Sequence, residues 1–162
     1  MTITKRAFTS AVSFLIAQAV CFFAAGVGGG FTANSVRTWY PTIAKPDWTP
    51  PSWVFGPVWT VLYAMMGLAI WLVWRSGTWP EKKGAVTLFG VQLLLNAAWS
   101  IIFFGAHSPG LAFAEILLLW IALTATIVAF WGHSKTASLL LVPYLCWSSF
   151  AAFLNFTIWG MN

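Results

Sequence analysis

Five long apolar stretches alternate with short polar ones along the chain, and this alternation predicts the fold. Each stretch holds at least 21 residues, whereas about 20 apolar residues are enough for a helix to cross the hydrocarbon core of a bilayer. The approximate limits of the predicted spans are 7–28, 52–74, 84–105, 110–131 and 136–160. None of them shows the polar–apolar alternation with a period of two that a membrane β-barrel needs. The pattern therefore predicts an all-α integral membrane protein, a five-transmembrane-helix bundle in one domain covering residues 1–162.

The connections between the spans are unequal in length. Residues 106–109 and 132–135 are short enough to form tight turns, so the third, fourth and fifth helices are expected to be antiparallel neighbours. The first connection, 29–51, is more than 20 residues long, which in a compact domain usually indicates a function. Four glycines at its start predict a loose helix end that lets this structured loop act as a lid; they are Gly26, Gly28, Gly29 and Gly30.

The composition supports burial in lipid. Hydrophobic residues make up 60% of the chain and charged residues 7%, with a mean hydropathy of +0.82, whereas soluble domains carry about 25% charged residues. The net charge of +5 indicates contact with membrane lipid rather than with nucleic acid, because no basic run is longer than the pair Lys82-Lys83. Cys21 and Cys146 lie in apolar spans without CxxC spacing or a neighbouring histidine, so the sequence predicts neither a disulfide nor a metal site.

Basic residues predict the orientation of this multi-pass protein. The N-terminal tail and the second and fourth connections carry Lys5, Arg6, Arg75, Lys82, Lys83 and Lys135, whereas the first connection carries only Arg37 and Lys45. The positive-inside rule then places the N-terminus in the cytoplasm and the first connection on the outer side. The apolar run after the N-terminal pair is about 20 residues long, more than the 7–15 of a signal-peptide core, so it is predicted to be a retained span.

The stretch 39–63 joins the first connection to the second span and is rich in tryptophan, tyrosine and proline. Its five prolines fix φ and remove amide donors. Residues 45–51 are therefore expected to form a stiff, extended approach to the second helix. A rigid aromatic segment that leads into an apolar helix is typical of the mouth of a binding site.

Three helices are predicted to present aromatic and amide residues at membrane depth, each on one face, because positions three or four residues apart share a face. The residues are Phe55, Trp59 and Tyr63 on the second helix, Gln92, Asn96, Trp99 and Phe103 on the third, and Tyr144, Trp147, Ala151, Leu154 and Asn155 on the fifth. Pro143 is expected to bend the fifth helix beside Trp147, which either leaves room for a ligand or only improves packing. Asn96 has two interpretations, an interhelical hydrogen bond or a ligand contact.

Glu115 is the one charged residue within the predicted spans. An intramembrane carboxylate indicates a functional role by default. Since no Lys or Arg lies at its depth, we expect it to be protonated or hydrogen-bonded to an amide. A polar or proton-carrying role in transport would need a second charged group inside the spans, and the sequence offers none.

Three motifs carry a resemblance to a known family. They are WYPTIAKPDWTPPSWVFGPVWTVLY at 39–63, NAAWSIIFF at 96–104 and VPYLCWSSFAAFLN at 142–155. Their order, together with five spans in 162 residues, resembles the TspO/MBR family of tryptophan-rich sensory proteins and translocator proteins, the peripheral benzodiazepine receptors. The resemblance covers the whole chain and favours a member from a bacterial membrane.

The resemblance implies a homodimer of five-helix bundles in which the first loop closes over a pocket. The implied ligands are the porphyrins protoporphyrin IX and haem, and also sterols, with no cofactor required. The implied ligand-binding residues are Tyr40, Trp48, Pro51, Trp59, Asn96, Trp99, Trp147, Ala151 and Leu154. Residues 154–160 lack the tyrosine and the basic residue of the mammalian sterol motif, which makes sterols the less expected ligands.

Three functions agree with the resemblance and with the residues. The preferred one is a membrane receptor or transporter-like protein that binds porphyrins in tetrapyrrole transport or sensing, with Arg37, Lys45 or Asn96 meeting a propionate. The second is a light-dependent porphyrin-degrading enzyme that would use Trp59 and Trp147 as catalytic indoles, because the sequence offers no acid–base pair, nucleophile or metal cluster for another chemistry. The third is a ligand-regulated scaffold.

Overall fold

The computed structural model describes the backbone of residues 3–162 and the side chains from Phe8 onward. The side chains of Lys5 and Arg6, on which part of the predicted orientation rests, therefore lie outside the described part. The α-helices of the described chain are α1 (Ile3–Thr38), α2 (Phe55–Trp74), α3 (Trp79–Ser100), α4 (Pro109–Trp131), α5 (Lys135–Leu140) and α6 (Val142–Met161).

Five helical segments are long and apolar enough to cross a membrane, which confirms the predicted fold class. They are Phe8–Thr38, Ser52–Trp74, Trp79–Gly105, Pro109–Trp131 and Lys135–Met161. The last of these segments combines α5 and α6. The protein is thus an all-α, multi-pass integral membrane protein whose five spans agree in number and order with the hydrophobic pattern.

The spans form a closed ring in the order first, second, fifth, fourth, third. α1 packs against α2 and α3, α3 packs against α4, and α4 packs against both α5 and α6. α5 closes the ring by packing against α2. The antiparallel contacts expected between the last three spans are therefore present, and the second and fifth spans also become neighbours.

The first helix continues through the glycines at which the sequence predicted a loose end. α1 runs to Thr38, so the connection to α2 begins at Trp39 instead of residue 29. A Cβ built on Gly28 would lie 3.0 Å from Ser100 Oγ, which shows that this glycine serves close packing against α3. Breaking the helix at this depth would also leave backbone groups unsatisfied in lipid.

The third span begins earlier than predicted and ends in a wider turn. The N–H of Thr78 donates to Glu81 Oε2 at 2.6 Å, and this capping box starts α3 at Trp79 although charged residues follow. At the other end, residues Ile101–Gly105 form a π-helical turn. There the N–H of Ala106 donates to the carbonyl of Ile101 at 2.8 Å.

The fifth span is broken where the sequence predicted a bend. α5 ends at Leu140 and α6 begins at Val142, with Pro143 in the first turn of the new helix. Proline has no N–H to donate to the preceding turn, so the helix restarts instead of continuing. The interruption lies at the position where the sequence predicted a bend.

The bundle has two chemically different ends. At the basic end, the cations of Arg75, Lys82 and Lys135 lie over the rings of Trp71, Trp74 and Trp131 at 4.7, 5.2 and 5.5 Å. Such pairs suit a membrane–water interface, because the tryptophan ring packs on the long apolar stem of the cation. Lys82 is buried, and its Nζ donates to the carbonyls of Trp74 and Ser76. The opposite end carries residues 39–54 and is called the lid end below. Which end faces the cytoplasm stays a prediction.

Candidate functional site

A cavity of about 460 Å³ lies inside the lid end of the bundle. Its walls come from α1, α2, α3 with its π-helical turn, and α6, and Tyr40 and Ser52 line it from the lid segment. Ligand pockets of small molecules typically measure about 300–1,000 Å³ and are mostly apolar with a few polar groups. The cavity therefore has the size and the lining of a small-molecule site.

The wall between α2 and α6 is built from aromatic rings. The ring of Phe55 meets Trp147 edge to face at 5.9 Å, and Trp59 meets Tyr144 in the same manner at 5.9 Å. Trp59 and Trp147 both line the cavity, and the indole N–H of Trp147 is buried without a hydrogen-bond acceptor in the described residues. The two deep indoles predicted from the sequence thus belong to one cavity.

The wall from α3 is held by an amide on α6. The Nε1–H of Trp99 donates to Asn155 Oδ1 at 3.0 Å, and Asn155 Nδ2 donates to the carbonyl of Pro109 at 2.7 Å. Trp99 also stacks on Phe103 at 5.2 Å. The indole plane is therefore fixed from both its edge and its face, so it can offer a rigid surface to a ligand.

A hydrogen-bonded bridge forms the floor of the cavity. The hydroxyl of Tyr63 donates to Asn96 Oδ1, and Asn96 Nδ2 donates to the hydroxyl of Tyr144 at 2.7 Å. One amide thereby joins α2, α3 and α6. Asn96 lines the cavity, but its interhelical interpretation is the one that these contacts support.

The lid segment is anchored on one side to the α3–α4 turn. Trp39 stacks on His107 at 4.4 Å with an interplanar angle of 13°, and Ser35 Oγ lies 3.2 Å from His107 Nε2. Tyr40 is buried and meets Phe104 at 5.8 Å, and this burial raises the pKa of Tyr40 to about 12. The hydroxyl therefore stays neutral in the cavity lining.

The same segment is fastened to α6 on its other side. Trp48 stacks on Phe153 at 5.3 Å. The N–H of Ala44 donates to Asn162 Oδ1 and Asn162 Nδ2 donates to the carbonyl of Ala44, both at 3.0 Å. Lys45 Nζ donates to the carbonyl of Tyr40 at 2.6 Å. These contacts make the lid a fixed cover in this structure.

Most of the predicted ligand-binding residues come together in the cavity. Those that line it are Tyr40, Trp59, Asn96, Trp99, Trp147, Ala151 and Leu154. Trp48 lies outside, since its ring covers Phe153, and Pro51 precedes the short 3₁₀ turn Ser52–Val54 without lining the cavity itself. That any of these residues contacts a ligand stays a prediction.

The wall that α1 provides to the cavity was not predicted from the sequence. Phe22, Ala25, Gly29, Ala33 and Val36 all line the cavity, and their spacing of three or four residues places them on one face of the helix. The repeated small residues at this spacing were the available signal, but they were interpreted as a helix end.

Arg37 and Glu115 differ in their position relative to the cavity. Arg37 lines the cavity at the lid end and is exposed, with no ion pair or hydrogen bond among the described residues. Glu115 is 8% exposed and lies outside the cavity lining, and neither of its carboxyl oxygens has a partner in the described chain. Of the two states expected for Glu115, protonated or hydrogen-bonded to an amide, the hydrogen bond to an amide is not formed among the described residues.

The fold and the cavity together define an integral membrane protein with a cavity of small-molecule size between its helices. The TspO/MBR family matches residues 17–160. The chain is 47% identical over 160 residues to "Tryptophan-rich protein TspO" of Chlorobaculum tepidum, covering 98% of both chains. It is 46% identical over 149 residues to "Tryptophan-rich protein TspO" of Archaeoglobus fulgidus, covering 91% of this chain and 96% of the relative. It is 43% identical over 155 residues to the human "Translocator protein", covering 94% and 89%.

The chain belongs to the TspO/MBR family. Membership supports a receptor- or transporter-like role in a membrane. The homodimer, the bacterial source and the cytoplasmic N-terminus stay predictions.

Proposed function

We propose that the cavity binds porphyrins, with protoporphyrin IX or haem as ligand, and that the protein serves tetrapyrrole transport or sensing. The observation that carries this proposal is that Trp59 and Trp147, from helices far apart in sequence, line the same cavity. Sterols stay a further ligand class implied by the family resemblance.

The shape and chemistry of a porphyrin suit these walls. A porphyrin macrocycle is planar, apolar on its faces and rich in π electrons, so it stacks on indole and phenyl rings. Each aromatic pair contributes about 0.5–1.5 kcal/mol beyond the burial of its area. The rings of Trp59, Trp99 and Trp147 are held by neighbouring side chains, so little conformational entropy is lost when a ligand orders them.

Arg37 provides the charge that a porphyrin propionate needs. It is the one cationic residue among the described residues that line the cavity, and it has no anionic partner there. Lys45 is engaged with backbone carbonyls and does not line the cavity. Of the three candidates named for a propionate contact, Arg37 is the one whose position and free charge support the role.

We expect Arg37→Gln to weaken the binding of protoporphyrin IX about tenfold, because a partly exposed charge-assisted hydrogen bond contributes about 1.5 kcal/mol. Binding is measured as the change in porphyrin fluorescence on titration into protein in lipid nanodiscs, with empty nanodiscs subtracted. The dimethyl ester of protoporphyrin IX, which lacks the two acidic groups, is the matched ligand and is expected to bind the wild type and Arg37→Gln equally.

Two outcomes would contradict the proposal. If the wild-type protein leaves porphyrin fluorescence no different from empty nanodiscs, the cavity is not a porphyrin site. If the variant loses affinity equally for the acid and the ester, Arg37 acts on the cavity's shape and not on a propionate.

The shared wall also favours a second function, in which the bound porphyrin is degraded under light and oxygen by indole chemistry at Trp59 and Trp147. In that case, illuminated wild-type protein loses the porphyrin absorption band faster than the double variant Trp59→Phe/Trp147→Phe, compared at equal amounts of bound porphyrin. Trp131→Phe, at the basic end, is the control. Equal rates of loss in all three proteins would exclude the enzymatic function and leave the binding function standing.

A further inference from the structure

Exposure is unevenly distributed over the lining of the cavity. On α3 and α6, every lining residue is buried or half-buried, whereas exposed lining residues occur on α1, α2 and the adjoining lid segment. On α1 and α2, between Arg37 and the basic end, the exposed lining residues are Phe22, Gly29, Ala33, Gly56 and Thr60. The exposed lining residues on the two helices thus lie along the edges at which α1 and α2 face each other. These five residues are called the window, and the contacts between α1 and α2 described below place the opening of the cavity there.

The other sides of the cavity are closed by side chains. Phe55 and Trp147 close the seam between α2 and α6 at 5.9 Å. Gly28 lies so close to Ser100 that a Cβ would be 3.0 Å from its hydroxyl, which closes the seam between α1 and α3. The lid is anchored to the α3–α4 turn and to α6 as described above.

Among the described residues, the hydrogen bonds and ring contacts between α1 and α2 lie toward the basic end. Gln18 Nε2 donates to the carbonyl of Ala64 at 3.1 Å, and Trp71 Nε1 donates to the carbonyl of Ser10 at 3.0 Å. The last ring contact is Phe22 with Tyr63 at 6.5 Å. Beyond it, toward the lid, the described residues show no hydrogen bond or ring contact between the two helices. From Tyr63 to the first turn of α2 the gap is about 10 Å tall, at about 1.5 Å per residue.

The rim of this gap is compatible with hydrocarbon. Its two glycines and its alanine expose no polar side chain. The hydroxyl of Thr32, beside the window, donates to the carbonyl of Gly28 at 2.9 Å, and that of Thr60 donates to the carbonyl of Gly56 at 2.9 Å. Since an unsatisfied hydroxyl is unfavourable in lipid, these bonds within each helix leave a rim that a bilayer can cover.

We propose that this window is the portal through which a planar hydrophobic ligand dissolved in the bilayer reaches the cavity. The lid stays in place during this step, because the ligand moves sideways between α1 and α2. The inference rests on the proposed porphyrin function for its ligand. It adds that the ligand comes from the bilayer and enters between α1 and α2.

Gly29→Leu tests the portal. A Cβ at Gly29 meets nothing within 4 Å, so the larger side chain fits the helix and fills the window. Gly30→Leu is the matched control, because Gly30 is the next residue, is equally open and exposed, and does not line the cavity. Protoporphyrin IX is preloaded into lipid vesicles, and these are mixed with vesicles carrying the protein. The rate constants of porphyrin association and dissociation are measured by stopped-flow fluorescence. In Gly29→Leu we expect association and dissociation each to slow by at least about tenfold.

Whether porphyrin dissociation becomes slower or faster in Gly29→Leu decides the result. A leucine that only takes space from the ligand would speed dissociation, and a window that is not the route would leave both rates equal to those of Gly30→Leu. Either result overturns the portal while leaving porphyrin binding established.

A second measurement does not depend on porphyrin. Ala151→Cys places a thiol in the cavity lining, in a Cys146→Ser background that removes the exposed native thiol. Pyrene maleimide supplied in the lipid is expected to modify this thiol, and adding Gly29→Leu is expected to slow the modification about tenfold, whereas adding Gly30→Leu is not. If the wild type fails to bind porphyrin, the proposed function fails, and this labelling still decides the portal. Equal labelling with and without Gly29→Leu would overturn it.

Discussion

The double variant Trp59→Ala/Trp147→Ala is expected to bind protoporphyrin IX about a hundredfold more weakly than the wild type. Removing one indole from an apolar wall costs about 1.4 kcal/mol or more in stacking and buried area, which is about tenfold in affinity. Because both indoles line one cavity, their losses are expected to couple, and the hundredfold figure is the additive value against which this coupling is measured. Each single variant is expected to lose about tenfold.

The measurement uses the shift of the porphyrin absorption band, because changing tryptophans alters the protein's own fluorescence. Trp131→Ala is the control, since Trp131 is exposed at the basic end and packs under Lys135. Circular dichroism checks that the helices remain. Affinity that survives in the double variant, with the fold intact, would mean that the porphyrin lies elsewhere than between these two indoles.

The variant Asn96→Leu is expected to lower the free energy of unfolding by about 2–4 kcal/mol. The change removes both hydrogen bonds of the bridge, each worth about 0.6–1.7 kcal/mol between membrane helices. It also leaves the buried hydroxyls of Tyr63 and Tyr144 without that partner, and an unsatisfied buried group costs about 1–3 kcal/mol. The thermal midpoint in detergent, followed by circular dichroism, reports the loss.

Gln92→Leu is the matched control for this experiment. Gln92 lies one turn away on the same face of α3 and is fully buried. Within the described chain its Oε1 has no partner, and its Nε2 meets Met66 Sδ at 4.0 Å. Replacing it removes an unsatisfied oxygen, so stability is expected to stay constant or rise. If the two leucine variants lose stability equally, burial of the amide and not the bridge explains the effect of Asn96.

The residues that could be predicted from the sequence lie on long, regular helices. Trp59, Asn96 and Trp147 face one cavity as predicted, because the helical period fixes the facing of a residue once a span is recognised. The break at Pro143 was predictable for a related reason, since the missing N–H of proline acts locally.

What was missed depends on contacts between distant parts of the chain. Gly28 is a helix-weakening residue by local preference, but its close approach to Ser100 makes it a packing residue of a continuous helix. Trp48 belongs to an irregular segment, where no period tells which way a ring points, and it covers Phe153 instead of the cavity. Tertiary packing decided both cases.

The length of α1 determines where the cavity lies relative to the hydrocarbon of the bilayer. With 36 residues the helix is about 54 Å long, against about 30 Å for the hydrocarbon of a bilayer. Because Phe22 stands opposite Tyr63, the last two turns of α1 project past the beginning of α2 and carry Arg37 with them. We therefore expect the cavity to straddle the boundary between hydrocarbon and water, so that the proposed porphyrin would keep its macrocycle in the hydrocarbon and its ionised propionates in water. We expect such a cavity to favour amphiphiles that match this offset over molecules without a charged edge.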